Sequence, residues 1–406
     1  MNNETSVPPR STVTLDIVNG DLSISRNAIV KGTGTPPKLK VTGTVYCEGG
    51  NILECDLSAE NLEAEDNVVI HGDLEVEDTV EVEDGRLEVN GKIAAKHIDI
   101  DDALFVGKDL ITKEADVGGS LKVDGAVQAE DIDVGGTFKA IGKVTAGEIE
   151  VGGTLSIESK AEIKAIEVGG TAKVNGGKID EIDVGGSFES SDSLEFDSID
   201  VGGTVNLSDK CKGRKIDVGG SLRVDGDLTF EDIDVGGTID IRGSGEGSQI
   251  DVGGTLEIGG ALKLSETLDV GGTVEIGNEV SAENIEVGGA MRARKILAKD
   301  SVEVGGSINA IEGIIASSVE IGKRGEVHGP IKAEQVSIGK GTHVENIFGK
   351  RILLRNGTHA ENIYGDRIII ESDCQISGEV QYTNELRIED NVSLAKAPQK
   401  VDKITY

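Results

Sequence analysis

The tetrapeptide Asp/Glu-Val-Gly-Gly occurs twelve times between residues 116 and 306, and it constrains the fold more than any other feature of the sequence. Each copy follows an aliphatic residue and precedes Ser, Thr or Ala. Successive copies are seventeen residues apart, except for one step of sixteen and one of eighteen. A sustained period of this length indicates a repeat protein in which similar units stack on one another.

The residues around each motif alternate between apolar and polar. In Ile132-Asp133-Val134 the two aliphatic side chains would point to one side of a strand and the carboxylate to the other. A second aliphatic pair follows the two glycines, as in Leu121 and Val123, and a third pair closes the unit. Each repeat therefore predicts three short strands and three corners, which is one turn of a triangular coil.

This pattern predicts an all-β fold, a right-handed parallel β-helix (solenoid) with three short strands per roughly 17-residue rung. Helical repeats need a 3.6-residue period and about 30 or more residues per unit. Left-handed hexapeptide coils would need an eighteen-residue rung, which the spacing disfavours. We expect the Gly-Gly pair to form a corner at which a side chain would clash or φ must be positive.

The period divides the chain into five segments. Residues 1–10 are predicted to be a disordered tail, 11–114 irregular N-terminal rungs, 115–318 the regular Gly-Gly repeats, 319–395 C-terminal rungs without the Gly-Gly, and 396–406 a polar tail. One rung is unusual, because residues 242–249 contain no aliphatic side chain. We expect an under-packed and more mobile side of the coil there.

Composition limits the function and the compartment. The net charge of −34 argues against nucleic-acid binding, which needs a basic surface. The four cysteines show no paired spacing, although Cys47 and Cys55 are close enough in sequence to meet, and Cys211 stands at a core position. We therefore expect a reducing, cytoplasmic location. The first residues lack an apolar signal segment, and no run of eighteen apolar residues occurs.

The acidic residue of each motif would form a ladder of like charges on one outer face, with a spacing of about 4.8 Å. Such a ladder could bind cations or a basic partner, but a solvated face that opposes sideways aggregation is the favoured interpretation. The ladder consists of Asp116, Asp133, Glu150, Glu167, Asp183, Asp200, Asp217, Asp234, Asp251, Asp269, Glu286 and Glu303.

No pattern predicts catalysis or a cofactor. His343 and His359 stand in two matching rungs, and their rings are expected to stack. A metal site with Glu345 and Glu361 is the alternative, but no third column of ligands is evident, so an exposed polar ladder is favoured. The short turns leave no place for a substrate cleft, and Val-Gly-Gly lacks the Gly-Lys-Ser/Thr ending of a phosphate loop. The sequence indicates a protein that is not an enzyme.

The chain resembles the bactofilin family of polymer-forming cytoskeletal proteins and their archaeal relatives. The resemblance lies in rungs such as Ile132-Asp-Val-Gly-Gly-Thr and Val319-Glu-Ile-Gly-Lys-Arg-Gly-Glu-Val-His-Gly-Pro-Ile, and it is best from about 302 to 394. It implies nucleotide-independent filaments built from β-helices, with other cytoskeletal or envelope proteins as further partners. Two features differ from typical members: the β-helix is much longer, and the N-terminus lacks an apolar membrane-targeting segment.

We therefore predict a cytoplasmic scaffold whose partner is a second copy of itself, joined end to end. Terminal rungs expose unpaired strand edges and the ends of the apolar columns, so another copy can continue the ladder. The alternative is a monomeric, rigid acidic rod that acts as a spacer or a protein-binding module, with its ends capped by the polar tails. The candidate contacts are Val13, Leu15 and Ile17 at one end and Leu386, Ile388, Val392 and Leu394 at the other.

Overall fold

The computed structural model describes residues 4–404 and confirms the predicted fold class. The protein is an all-β parallel solenoid of about 23 turns with roughly 17 residues per turn, and the described residues form no helix. None of them therefore provides a helix that could cross a membrane. The chain divides into two compact units, Met1–Gly202 and Gly203–Tyr406.

Most strands of the two units have two to four residues, because a corner follows, whereas a minority continue around a corner and have 8 to 12 residues. The strands of the first unit are β1 Glu4–Val7, β2 Thr12–Thr14, β3 Ile17–Val18, β4 Asp21–Ile24, β5 Ile29–Lys31, β6 Lys38–Val41, β7 Thr44–Cys47, β8 Asn51–Glu54, β9 Asp56–Ala59, β10 Asn61–Ala64, β11 Val68–Ile70, β12 Leu74–Val76, β13 Thr79–Val82, β14 Arg86–Val89, β15 Ile93–Ala94, β16 His97–Ile100, β17 Ala103–Val106, β18 Leu110–Ile111, β19 Glu114–Val117, β20 Ser120–Val123, β21 Val127–Gln128, β22 Asp131–Val134, β23 Thr137–Ala140, β24 Val144–Val151, β25 Thr154–Ile157, β26 Ala161–Val168, β27 Thr171–Val174, β28 Gly177–Val184, β29 Ser187–Ser190, β30 Leu194–Glu195 and β31 Ser198–Val201. The strands of the second unit are β32 Thr204–Leu207, β33 Cys211–Lys212, β34 Lys215–Val218, β35 Ser221–Val224, β36 Leu228–Thr229, β37 Asp232–Val235, β38 Thr238–Ile241, β39 Gly245–Gly247, β40 Gln249–Val252, β41 Thr255–Ile258, β42 Leu262–Leu264, β43 Thr267–Val270, β44 Thr273–Ile276, β45 Glu279–Val287, β46 Met291–Arg292, β47 Lys295–Val304, β48 Ile308–Asn309, β49 Ile314–Ile321, β50 Glu326–His328, β51 Ile331–Ile338, β52 His343–Leu354, β53 His359–Ile370, β54 Gln375–Ile376, β55 Val380–Ile388, β56 Ser393–Leu394 and β57 Gln399–Lys400.

In most regular coils three strands make one coil, whereas in others one strand continues around a corner and forms two sides, as β24 and β52 do. Each strand pairs in parallel with the equivalent stretch of the next coil. β19, β20 and β21 pair with β22, β23 and β24, respectively. In the β19–β22 pair, Val117 lies opposite Val134 and both side chains are fully buried, whereas the acids beside them are exposed. The alternation predicted from the sequence therefore sets which side chains form the core.

The Gly-Gly corners are required by the close approach of successive coils. A Cβ atom on Gly236 would lie 2.6 Å from the carbonyl oxygen of Gly219, the equivalent residue in the preceding coil. The clash expected from the sequence is therefore confirmed. The alternative reason, a positive φ, is wrong, because the left-handed glycines of the described chain all lie outside the twelve motifs.

The rung at 242–249 is better packed than the sequence suggested. Gly245 and Gly247 belong to β39, which pairs with β36 and β42 on its two sides. The Phe230 ring is only 4% exposed, and it occupies the space that a Cβ atom on Gly247 would need. The expectation of an under-packed side is wrong, because a large side chain in one coil compensates for glycine in the next.

Both predicted tails take part in the coil. Residues 4–7 form β1, which pairs with β4 and buries Val7, so disorder over 1–10 is wrong for this stretch. At the other end β57 pairs with β55 and Ile404 is buried, so the segment after 396 does not simply leave the coil. The remaining parts of the two tails, 1–3 and 405–406, lie outside the described residues.

The cysteines behave as small core residues. All four are buried, and Cys47 and Cys55 do not form a disulfide. Cys211 is 1% exposed, which confirms the prediction for this position. Burial raises the pKa of Cys47 to about 12 and, with a smaller contribution from Asp56, that of Cys55 to about 11.

Candidate functional site

The last coil of the second unit exposes core positions that are covered in the coil before it. Leu386 and Ile388 lie opposite Ile368 and Ile370, which are fully buried. Ile388 is 39% exposed and Leu386 is half-buried. Since the alternation of β55 directs both side chains along the core column, their exposure marks an open end of the core.

The strand edges of this coil are also open. Only Gln381 and Tyr382 of β55 pair with β57, and the stretch from Glu385 to Ile388 pairs with β53 alone. β56 has only β54 as a partner among the described strands, and its Leu394 lies half-buried opposite the buried Ile376. Val392 is half-buried in the turn before it. Two sides of the coil therefore present backbone groups that another strand could pair with.

The first coil of the first unit is open only on the side of β2, because Val7 of β1 and Val18 of β3 are buried. Among the described strands, β1, β2 and β3 pair only with β4, β5 and β6. Val13 and Leu15 are half-buried, and Val13 lies opposite the fully buried Val30. Ile17 differs, because it lies opposite the exposed Lys40 in an outward position and is 61% exposed. Val13 and Leu15 thus border the open core, whereas Ile17 lies on the outer surface.

The acidic residues of the motif stack in register on one outer face of each unit. In the first unit the ladder begins before the Gly-Gly repeats and consists of Glu63, Glu81, Asp99, Asp116, Asp133, Glu150, Glu167, Asp183 and Asp200. In the second unit it consists of Asp217, Asp234, Asp251, Asp269, Glu286, Glu303 and Glu320. Sequence analysis missed Glu63, Glu81, Asp99 and Glu320, because they lack the Gly-Gly pair; the apolar-acid-apolar triplet around each of them was the available signal.

The close spacing raises the pKa of several ladder carboxyls. For Asp116 the main cause is the loss of water between coils, and the carboxylates of Asp133 and Asp99 add to the rise. Burial and the neighbouring acids likewise raise the pKa of Glu81, Glu150, Asp234 and Asp269. The folded chain therefore holds protons on these groups more readily than the unfolded chain does.

This shift predicts that mild acid stabilises the protein. A carboxyl whose pKa is raised by folding contributes stability as the pH falls through the raised value, and loses it as the pH rises. Lys143 and Lys350 lower the pKa of Glu162 and Glu334, respectively. These two carboxylates destabilise the folded chain as the pH falls, but only below the ordinary Glu pKa of 4.5. We expect the thermal midpoint at low salt to rise by about 1 to 3 °C between about pH 7 and pH 5.5. Circular dichroism measures it, and a constant or falling midpoint would contradict the prediction.

Two variants with Asp replaced by Asn distinguish the effect of the ladder carboxylates from that of carboxylates elsewhere. Asp234→Asn with Asp269→Asn should raise the midpoint at neutral pH by about 1 °C, because it removes repulsion between facing carboxylates. Asp225→Asn removes the same kind of charge outside the ladder. Its carboxylate lies 2.8 Å from Arg242 Nη1, so this control should leave the midpoint unchanged or lower it.

The two matching C-terminal rungs stack as predicted. The rings of His343 and His359 are 4.5 Å apart at an angle of 13°. Phe348 and Tyr364 stack in the same two rungs, with centroids 4.9 Å apart. β52 and β53 therefore carry a continuous ladder of identical or similar outward side chains.

A groove of about 450 Å³ lies beside the histidine stack. His328 faces it, and its Nδ1 is 3.2 Å from a carboxylate oxygen of Glu345. His359 Nδ1 is buried without a hydrogen-bond partner. In residues 4–404, however, no group of three or more His, Cys, Asp or Glu side chains is arranged to hold a metal ion.

Comparison with protein-family models, with curated proteins and with solved structures gives no match. The assignment of a β-solenoid therefore rests on the strand pairing of the chain itself.

Proposed function

We propose that the protein is a non-enzymatic scaffold whose solenoids join end to end through their terminal coils. The observation that carries this proposal is the last coil, where core positions become exposed next to unpaired strand edges. A second chain that adds its first coil there would cover Leu386, Ile388 and Leu394 and continue the parallel ladder. Both the apolar burial and the backbone hydrogen bonds favour such a junction.

The resemblance of the rungs to bactofilins supports the same proposal. Filaments of that family need no nucleotide, and a solenoid with open ends has an obvious way to grow without one. We further propose that the scaffold is cytoplasmic, with other cytoskeletal or envelope proteins as additional partners.

A monomeric acidic spacer is the second candidate, and the C-terminal segment favours it. β57 covers one side of the last coil, and the buried Ile404 shows that the segment packs against the protein. A segment that caps the end in this way would limit growth. The two proposals differ in what removal of this segment does.

Deletion of 396–406 tests the choice. If the segment limits end-to-end growth, the deleted chain should form larger assemblies than the full chain at equal concentration, as measured by sedimentation velocity. If the full chain already assembles and the deletion disperses it, β57 belongs to the junction. If the full chain and the deleted chain are both monomeric at all concentrations, the result contradicts the scaffold proposal and favours the spacer.

A further inference from the structure

The net negative charge comes entirely from the part of the chain before residue 321. Residues 321–406 contain 12 Lys or Arg and 12 Asp or Glu, so the net charge of −34 comes from residues 1–320. One outer face of the second unit shows this change of charge. That face carries the acidic ladder.

The last eight outward positions of the ladder column fall into two halves. The first four are carboxylates, and the next four contain none. In register order they are Asp269, Glu286, Glu303, Glu320, Ser337, Leu353, Ile369 and Arg387.

Two arginines flank the apolar members of this column. Arg351 and Arg367 stand two residues before Leu353 and Ile369 and lie opposite each other in β52 and β53. These four residues, the Arg/Ile patch, border a groove of about 470 Å³. Both guanidinium groups are exposed, and within residues 4–404 neither forms a salt bridge. Arg351 and Arg367 face each other as like charges, which costs stability, and Glu385 of β55 lies opposite Arg367 only. The two guanidinium groups can therefore still gain from an acidic surface outside the chain.

We propose that two copies of the chain associate sideways and antiparallel through this face, with the Arg/Ile patch of each on the acidic ladder of the other. The ladder and the patch repeat with the same coil spacing of about 4.8 Å, so several charges can pair at once. A two-fold axis makes the contact self-complementary and satisfies both patches in one interface. A parallel dimer in register would instead place patch on patch and acid on acid.

One antiparallel register brings no two carboxylates of the column together. The facing pairs are then Ser337 with Glu320, Leu353 with Glu303, Ile369 with Glu286 and Arg387 with Asp269. Arg351 and Arg367 are about 6.6 Å from the column along the strand, a distance that an arginine side chain spans. The guanidinium groups can therefore reach Glu303 and Glu286, while Leu353 and Ile369 cover the methylene groups of these glutamates.

Charge reversal on each side of the interface tests the proposal. In sedimentation equilibrium at low salt, the full chain should show a species of twice its mass of 42.4 kDa, which dissociates as NaCl is added. Arg351→Glu with Arg367→Glu should weaken dimerisation at least about tenfold, and Glu286→Arg with Glu303→Arg should do the same. The chain with all four substitutions should dimerise again, because both sides are inverted.

Lys263→Glu with Arg292→Glu is the matched control. It reverses two charges on the outward positions of β42 and β46, outside the proposed interface, and should leave dimerisation unchanged. Circular dichroism checks that each variant is folded. The proposal would be overturned if the parent chain is monomeric or if the Arg351/Arg367 variant dimerises like the parent. It would also be overturned if the chain with all four substitutions is folded but stays monomeric.

Discussion

Replacing Phe230 with alanine is expected to lower the free energy of unfolding by about 3 to 5 kcal/mol. The ring is 4% exposed and fills the core beside Gly245 and Gly247, so its removal leaves a cavity that two glycines cannot fill. Urea unfolding followed by circular dichroism measures the loss. Adding Gly247→Val should recover part of it, because the valine side chain would enter the space vacated by the ring.

Phe105→Ala is the matched control for this change. Phe105 is half-exposed on the outward side of β17, opposite Glu88 and Lys122, so its truncation should cost less than about 1 kcal/mol. Gly247→Val in the presence of Phe230 should destabilise the protein, since a Cβ atom there overlaps the ring. Equal effects of Phe230→Ala and Phe105→Ala would contradict the packing of the rung at 242–249.

Placing charge on the last coil is expected to abolish end-to-end assembly. Ile388→Glu with Leu394→Glu puts two carboxylates where a second chain would cover the core, and an unpaired buried charge costs several kcal/mol. In the isolated chain both residues are already partly exposed, so the fold should be little affected. Light scattering at increasing concentration measures the assembly.

Ile311→Glu is the control for surface apolarity. Ile311 is 77% exposed and lies away from the last coil, so its replacement removes an exposed isoleucine without touching the open core. Assembly should continue as in the parent chain. If Ile388→Glu with Leu394→Glu also assembles normally, the last coil is not the junction.

Much of the coil could be predicted from local pattern. The apolar-acid-apolar triplet fixes which side chains enter the core, and the glycines mark where successive coils approach most closely. In Ile132-Asp133-Val134 this gave the inward and outward positions correctly, because the pattern of a strand depends only on alternation.

Features that depend on contacts between coils were harder to predict. Phe230 and Gly247 compensate for each other across seventeen residues, so Gly247 alone suggests a void. Glu4–Val7 has a polar composition, and only its pairing with β4 makes it a strand. The change from carboxylates to the Arg/Ile patch becomes visible only when the column is followed beyond the last Gly-Gly.

The central claim, end-to-end continuation of the solenoid, is tested most directly by negative-stain electron microscopy of the purified full chain at high concentration. The account predicts unbranched filaments whose width is that of a single coil or a laterally paired coil. X-ray fibre diffraction of the same filaments should contain a layer line near 4.8 Å, because the parallel ladder continues across each junction. Separate particles of single-chain length at every concentration, with no filaments, would contradict it.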